Sequence, residues 1–138
     1  MKTELMEKQL LDEIPASTLI HLVSTDSLPG YLNHLMGKRN ISADVLAGLA
    51  ALNRASLYKI LNGTTKTPSR NVLLRLGLAM RLGFQDTQLL LKLGGRATLS
   101  GERKRDILIS DGIIHKRSID EINARLLRHK FSSLYEKE

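Results

Sequence analysis

Apolar residues recur at helical spacing along almost the whole chain, and the strict alternation of a strand is absent. Over the first 14 residues Leu5, Met6, Leu10 and Ile14 keep that spacing, and Pro15 ends the run. Residues 16–27 are rich in Ser and Thr, with a weak apolar patch at Leu19, Ile20, Leu22 and Val23, and read as a connection or a short helix. A helix is then predicted from about Pro29, a residue suited to a first turn, with Leu32, Leu35 and Met36 turned inward. Ser42 caps a second helix that runs to about Ala50, and Asn53 caps a third that stops at Asn62-Gly63. Pro68-Ser69 opens a fourth, with Val72, Leu73, Leu76 and Met80 on one face and Gly83 at its end. A fifth, from about Asp86, carries Leu89, Leu90 and Leu93 and closes at Gly94-Gly95.

Beyond Gly95 the pattern changes. A polar link, RATLSGERKR, leads to a helix holding Ile107, Leu108, Ile109, Ile113 and Ile114. Ser118 and Glu121 have the spacing of a capping box, and the helix that follows lines up Ile119, Ile122, Leu126 and Leu127. Two short amphipathic helices cannot bury their apolar faces alone, so they must pack on the preceding unit or on another copy. The expected architecture is all-α: a helical N-terminal extension over 1–27, a compact five-helix unit over 28–95, and a two-helix C-terminal extension over 96–138.

Composition narrows the class. The chain has 138 residues and no cysteine, which excludes disulfides and thiolate metal sites. No apolar run approaches the roughly 20 residues needed to cross a bilayer, and the N-terminus lacks a signal-peptide core. A soluble cytoplasmic protein with no membrane association is expected. The net charge of +7 is unevenly spread: −3 over residues 1–27, +7 over 28–95 and +3 over 96–138. Basic residues that only kept the protein soluble would be spread more evenly. Concentrated on one segment, they point to a polyanion partner.

Within that segment, residues 41–69 (ISADVLAGLAALNRASLYKILNGTTKTPS) read as two short helices joined by a tight turn. Leu46, Ala47, Ala50, Leu52, Leu57, Ile60 and Leu61 supply the positions that lock the helices together. Arg54, Ala55, Tyr58, Lys59 and Asn62 are left on the outer face of the second. Such a face, in a basic chain, suits the major groove of double-stranded DNA. Tyr58 fits either a thymine methyl or phosphate contact, or a half-buried cover over the apolar seam.

These residues resemble the helix-turn-helix domain of the Cro/CI (Xre-type) family of bacterial and phage repressors, whose fold is lambda-repressor-like. The likeness covers 28–95. It rests on Leu46-Ala47, Leu57 and Ile60, Gly63, Pro68, and the Leu-Ala-Met-Arg-Leu-Gly run that ends at Gly83. The tail from Lys104 to Leu127 resembles a two-helix extension of some regulators of this type. The resemblance implies a sequence-specific DNA-binding regulator, expected to act as a repressor and as a homodimer. It puts base contacts on Arg54, Ala55 and Lys59, with Tyr58 on the same outer face. Phosphate contacts fall on Ser42, Ala43, Asn62, Lys66 and Arg70, joined by Asn53 and Ser56 at the start of the second helix. The guanidinium of Arg54 matches guanine O6 and N7, and Ser42 at a helix N-terminus suits a phosphate.

Three positions depart from the family pattern. Ala51 stands in the turn where glycine is usual, which implies that the turn carries some strain or adjusts. Ala43 replaces a glutamine and removes one contact. Met36 and Leu61 are apolar where some members hold a buried ion pair, a change that removes a desolvation cost.

Other chemistry is sparse. His21, His34, His115 and His129 lack metal-ligand spacing, and no nucleophile, phosphate-loop or zinc signature appears, so no catalytic residue, metal or cofactor is expected. Glu102, Asp106 and Asp111, interleaved with Arg103, Lys104 and Arg105, read as a solvated helix face. The competing function is a protein-interaction module, antitoxin or adaptor on the same fold, with DNA binding secondary or lost and a protein partner at the terminal helices. A DNA-binding face should carry Arg54, Lys59, Lys66 and Arg70 with no acid nearby, whereas an interaction module would carry apolar or mixed residues.

Overall fold

The computed structural model describes residues 27–137, where the chain forms seven helices and no strand. They are α1 (Leu28–Arg39), α2 (Ala43–Leu49), α3 (Arg54–Leu61), α4 (Arg70–Ala79), α5 (Phe84–Leu93), α6 (Lys104–Ile114) and α7 (Ile119–Arg128). The helical run expected over the first 14 residues lies outside the described residues. Of the expected extension over 1–27 only Ser27 is described, and it caps α1.

Local chemistry sets the helix starts. Ser27, Ser42, Asn53, Ser69 and Ser118 each accept a hydrogen bond from a first-turn N–H, satisfying a donor that the helix itself cannot. Ser118 and Glu121 form the full reciprocal capping box.

The helix stops share one device. All seven described helices are followed within two residues by a residue of positive φ: Asn40, Ala51, Gly63, Arg81, Gly95, Lys116 and Lys130. After α2, Ala51 (φ 55°) donates to Gly48 O at 3.2 Å and Leu52 donates to Ala47 O at 2.8 Å, the paired bonds of a Schellman stop. Five of the seven positions are not glycine. Each holds its Cβ against the backbone at a cost of roughly 1 kcal/mol. At Arg81, Lys116 and Lys130 a cation next to the negative end of a helix dipole offsets part of that.

The apolar positions expected to lock the fold do so. Leu46, Leu57, Ile60, Leu73 and Leu76 are all buried in one continuous core. Met36 is buried, and Leu61 packs half-buried on the same core. Three details differ from the sequence pattern. Helix α4 stops at the left-handed Arg81, while Gly83 is extended (φ −72°) and precedes α5, which starts at Phe84 rather than near Asp86. In α5 it is Leu90 and Leu91 that are buried, and Leu89 is exposed. In the last two helices Ile109, Ile113, Ile122 and Leu126 are buried, while Ile107, Ile114 and Leu127 face solvent.

Helices α6 and α7 join the core of the preceding helices. They approach each other closely at Gly112, where a Cβ would lie 2.5 Å from Ile122 Cγ1. Residues 131–136 then return to the core, with Leu134 fully buried. They are held by Asn71 Nδ2 to Glu136 O (3.0 Å), Arg75 Nη1 to Leu134 O (2.8 Å) and Leu134 N to Asn123 Oδ1 (2.6 Å).

Because Ala51 occupies a glycine conformation with an exposed side chain, Ala51→Gly is expected to raise stability by about 1 kcal/mol. Chemical denaturation of the two proteins measures it, and an unchanged or lower midpoint counts against the strain argument.

Candidate nucleic-acid interface

The candidate surface is the outer side of α3. Leu57 and Ile60 are buried and fix the helix against α1 and α2, while Arg54, Ala55, Ser56, Tyr58 and Lys59 are exposed. Asn53 Oδ1 accepts from Ala55 N at 2.7 Å and Ser56 N at 3.4 Å, so the N-terminal turn is held by its own cap. At the far end Asn62 Oδ1 accepts from Thr64 N at 2.9 Å, and Gly63 turns the chain away. Ser42 Oγ is occupied similarly, accepting from Val45 N at 3.2 Å. Ala43 does not offer its side chain to this surface, since it packs half-buried on the core.

The charges on this face differ from the expectation of cations without an acid. Asp44, in the first turn of α2, lies against Arg54, with Nε 2.9 Å from Oδ1. Tyr58 donates its hydroxyl to the same Oδ1 at 3.3 Å. The tyrosine is 47% exposed, so it stands over the face rather than sealing the seam. Asp44 escaped the sequence reading because nothing in the local pattern marks it. The signal was available in the geometry of two crossing helices, which brings the first turn of one to the first turn of the next. Lys59 and Lys66 are exposed, and no carboxylate among the described residues lies within ion-pair distance of either.

Arg70 is a second correction. Expected on a phosphate, it turns inward and forks onto Asp106, with Nη1–Oδ1 and Nη2–Oδ2 both 2.8 Å. Its Nε donates to Ala97 O at 2.8 Å and Nη2 to Thr98 O at 3.0 Å. The Asp106 side chain is only 2% exposed, so it belongs to no solvated helix face. A fork satisfied this fully cannot turn to DNA without leaving a buried carboxylate unpaired. Thirty-six residues separate the partners, beyond the reach of any local pattern.

Together with Arg96, this pair anchors the segment that leaves α3. Arg96 donates from Nε to Pro68 O at 2.7 Å and from Nη2 to Thr67 O at 2.9 Å. The loop that carries Lys66 is therefore held at its exit by the link between α5 and α6. Among the described residues no group of three or more His, Asp or Glu is arranged to hold a metal ion, and no helix is long and apolar enough to cross a membrane.

Residues 31–91 match the family model of the Cro/C1-type HTH (helix-turn-helix) DNA-binding domain. That span covers α2, the turn and α3, together with most of the helices packed on them. No curated protein and no solved structure matches the chain.

The Asp106 pair gives a pH dependence of known sign. Burial pushes its carboxyl up, but hydrogen bonds from Arg70 and the Ser100 N–H, with the nearby charge of Arg103, bring the net value below its ordinary 3.8. A carboxyl lowered on folding stabilises fully above its unfolded value and loses that contribution as pH falls through the folded one. Asp106→Asn is expected to cost roughly 3 kcal/mol at neutral pH and to flatten acid unfolding below pH 4. Urea melts over a pH series test this, and parallel pH profiles for the two proteins would contradict it.

Proposed function

Because the chain carries a Cro/C1-type helix-turn-helix DNA-binding domain, we propose that it is a sequence-specific reader of double-stranded DNA that regulates transcription as a repressor, with α3 entering the major groove. The observation that carries this reading is the two-sidedness of α3. Leu57 and Ile60 fix it in the core, while Arg54, Ala55, Tyr58 and Lys59 stand together on its free side. Its 8 residues make a rod about 12 Å long, comparable with a major groove about 12 Å wide. In this reading the four exposed side chains meet base edges. Ser42, Asn53, Ser56, Asn62 and Lys66 line the phosphates, in part through backbone amides at the starts of α2 and α3. Arg70 has no part in it.

Selection from random duplexes at moderate salt should enrich a motif. Arg54→Ala should then weaken the selected site by about 1–3 kcal/mol and relax preference at one base pair. Lys66→Ala should weaken all duplexes alike and reduce the salt slope by about 1. If the protein enriches no motif, it is not a sequence-specific regulator.

We further propose that the working form is a homodimer. One α3 spans only a few base pairs, and two-fold pairing on half-sites about 34–36 Å apart multiplies selectivity. Ile107 and Ile114 on α6 and Leu127 on α7 are exposed apolar residues available for such a contact. Sedimentation at micromolar concentration should give a dimer, and charged replacements at Ile107 and Ile114 should give monomers that still bind DNA weakly. A strict monomer with and without the selected duplex rules the dimer out.

A further inference from the structure

We propose that Asp44 is a specificity-determining residue of this surface, a carboxylate buttress that aims Arg54 at a guanine and withholds it from the phosphate backbone. This rests on the reading of α3 as the DNA-contacting helix. Both Asp44 and Arg54 are solvent-facing, with side chains 52% and 68% exposed, so their pairing does little for the fold. Its effect falls on the face they occupy. One oxygen of Asp44 takes both Arg54 Nε (2.9 Å) and the Tyr58 hydroxyl (3.3 Å). Arg54 and Tyr58 are four residues apart on α3, so a single acceptor ties together adjacent turns of the reading side.

With Nε engaged, the two terminal nitrogens of the guanidinium are the pair left to point outward. That pair matches the O6 and N7 acceptors of guanine in a bidentate contact. An arginine without a buttress can swing to the nearest phosphate, where it gains affinity for any sequence. Asp44 opposes that in two ways. It fixes the rotamer, and it places a negative charge beside Arg54 and Tyr58, repelling phosphates that approach off register. A carboxylate there weakens binding to DNA in general, and the discrimination it provides is relative to that weaker background.

The experiment compares wild type, Asp44→Ala, Arg54→Ala and the double variant on three duplexes: the selected site, the site with the Arg54-dependent base pair exchanged, and a random sequence. Binding is followed across salt, with circular dichroism confirming the fold. For Asp44→Ala, affinity for the random duplex should rise several-fold and the salt slope should steepen by about 0.9. Discrimination at the exchanged base pair should fall about fivefold or more. In the Arg54→Ala background the same change should leave discrimination at that base pair untouched, because the buttress has nothing left to aim. A variant that merely loses stability would weaken on all three duplexes, which overturns the proposal. So does a discrimination ratio unchanged by Asp44→Ala, or one lost equally in the Arg54→Ala background. A wild type that enriches no motif overturns the DNA reading itself and this one with it. A wild type with a motif that Asp44→Ala leaves unaltered overturns this one alone.

Discussion

Helix α4 is covered on nearly every side, and three of its residues, Arg70, Asn71 and Arg75, carry polar groups that need partners inside the protein. That constraint organises the C-terminal third of the chain. Arg70 draws in Asp106 and the 97–98 backbone, Asn71 holds Ser133 and Glu136, and Arg75 reaches Leu134 O. The Arg75 guanidinium also lies 5.6 Å from the centre of the Tyr135 ring, and burial pulls its pKa below the ordinary value while nearby Tyr135 opposes that pull. Arg75 Nε and Asn123 Nδ2 are buried without a hydrogen-bond acceptor among the described residues.

The basic charge divides between two kinds of work. Arg39, Arg75 and Arg96 donate to backbone carbonyls of Met80, Leu134, Pro68 and Thr67, so they keep their charge while serving as structural clasps. Arg70 is neutralised by Asp106 and Arg54 is balanced by Asp44. The positive excess over 28–95 is therefore a generous measure of what the α3 surface itself presents. Lys59 and Lys66 are exposed cations on and next to α3 without a carboxylate within ion-pair distance among the described residues.

Much of the fold was legible because its determinants are local. Ser42, Asn53, Ser69 and Ser118 cap helices where their neighbours said they should, Leu57 and Ile60 are inward at helical spacing, and Ala51 adopts the glycine-like turn conformation. What was hidden depends on packing. Arginine and lysine are poor left-handed residues by propensity, so Arg81 did not read as a stop beside a glycine two positions on. The choice between Leu89 and Leu91 turns on how α5 is rotated against its neighbours. In the candidate site, the exposed residues of α3 were legible from periodicity. The two aspartates that pair with Arg54 and Arg70 were not, because each contact joins separate helices.

The tail that completes α4 has a consequence for modularity. The segment matching the Cro/C1-type family ends at residue 91, yet Asn71 and Arg75 within it donate to carbonyls at residues 133–136, and Arg70 finds its counter-ion at 106. Excised at Gly95, the five helices would keep their caps, but Arg70 would lose Asp106, Arg75 the Leu134 carbonyl, and Asn71 the Ser133 and Glu136 carbonyls. The segment that matches the family is thus not a portable cassette: transplanted into a fusion, it must travel with residues 96–136.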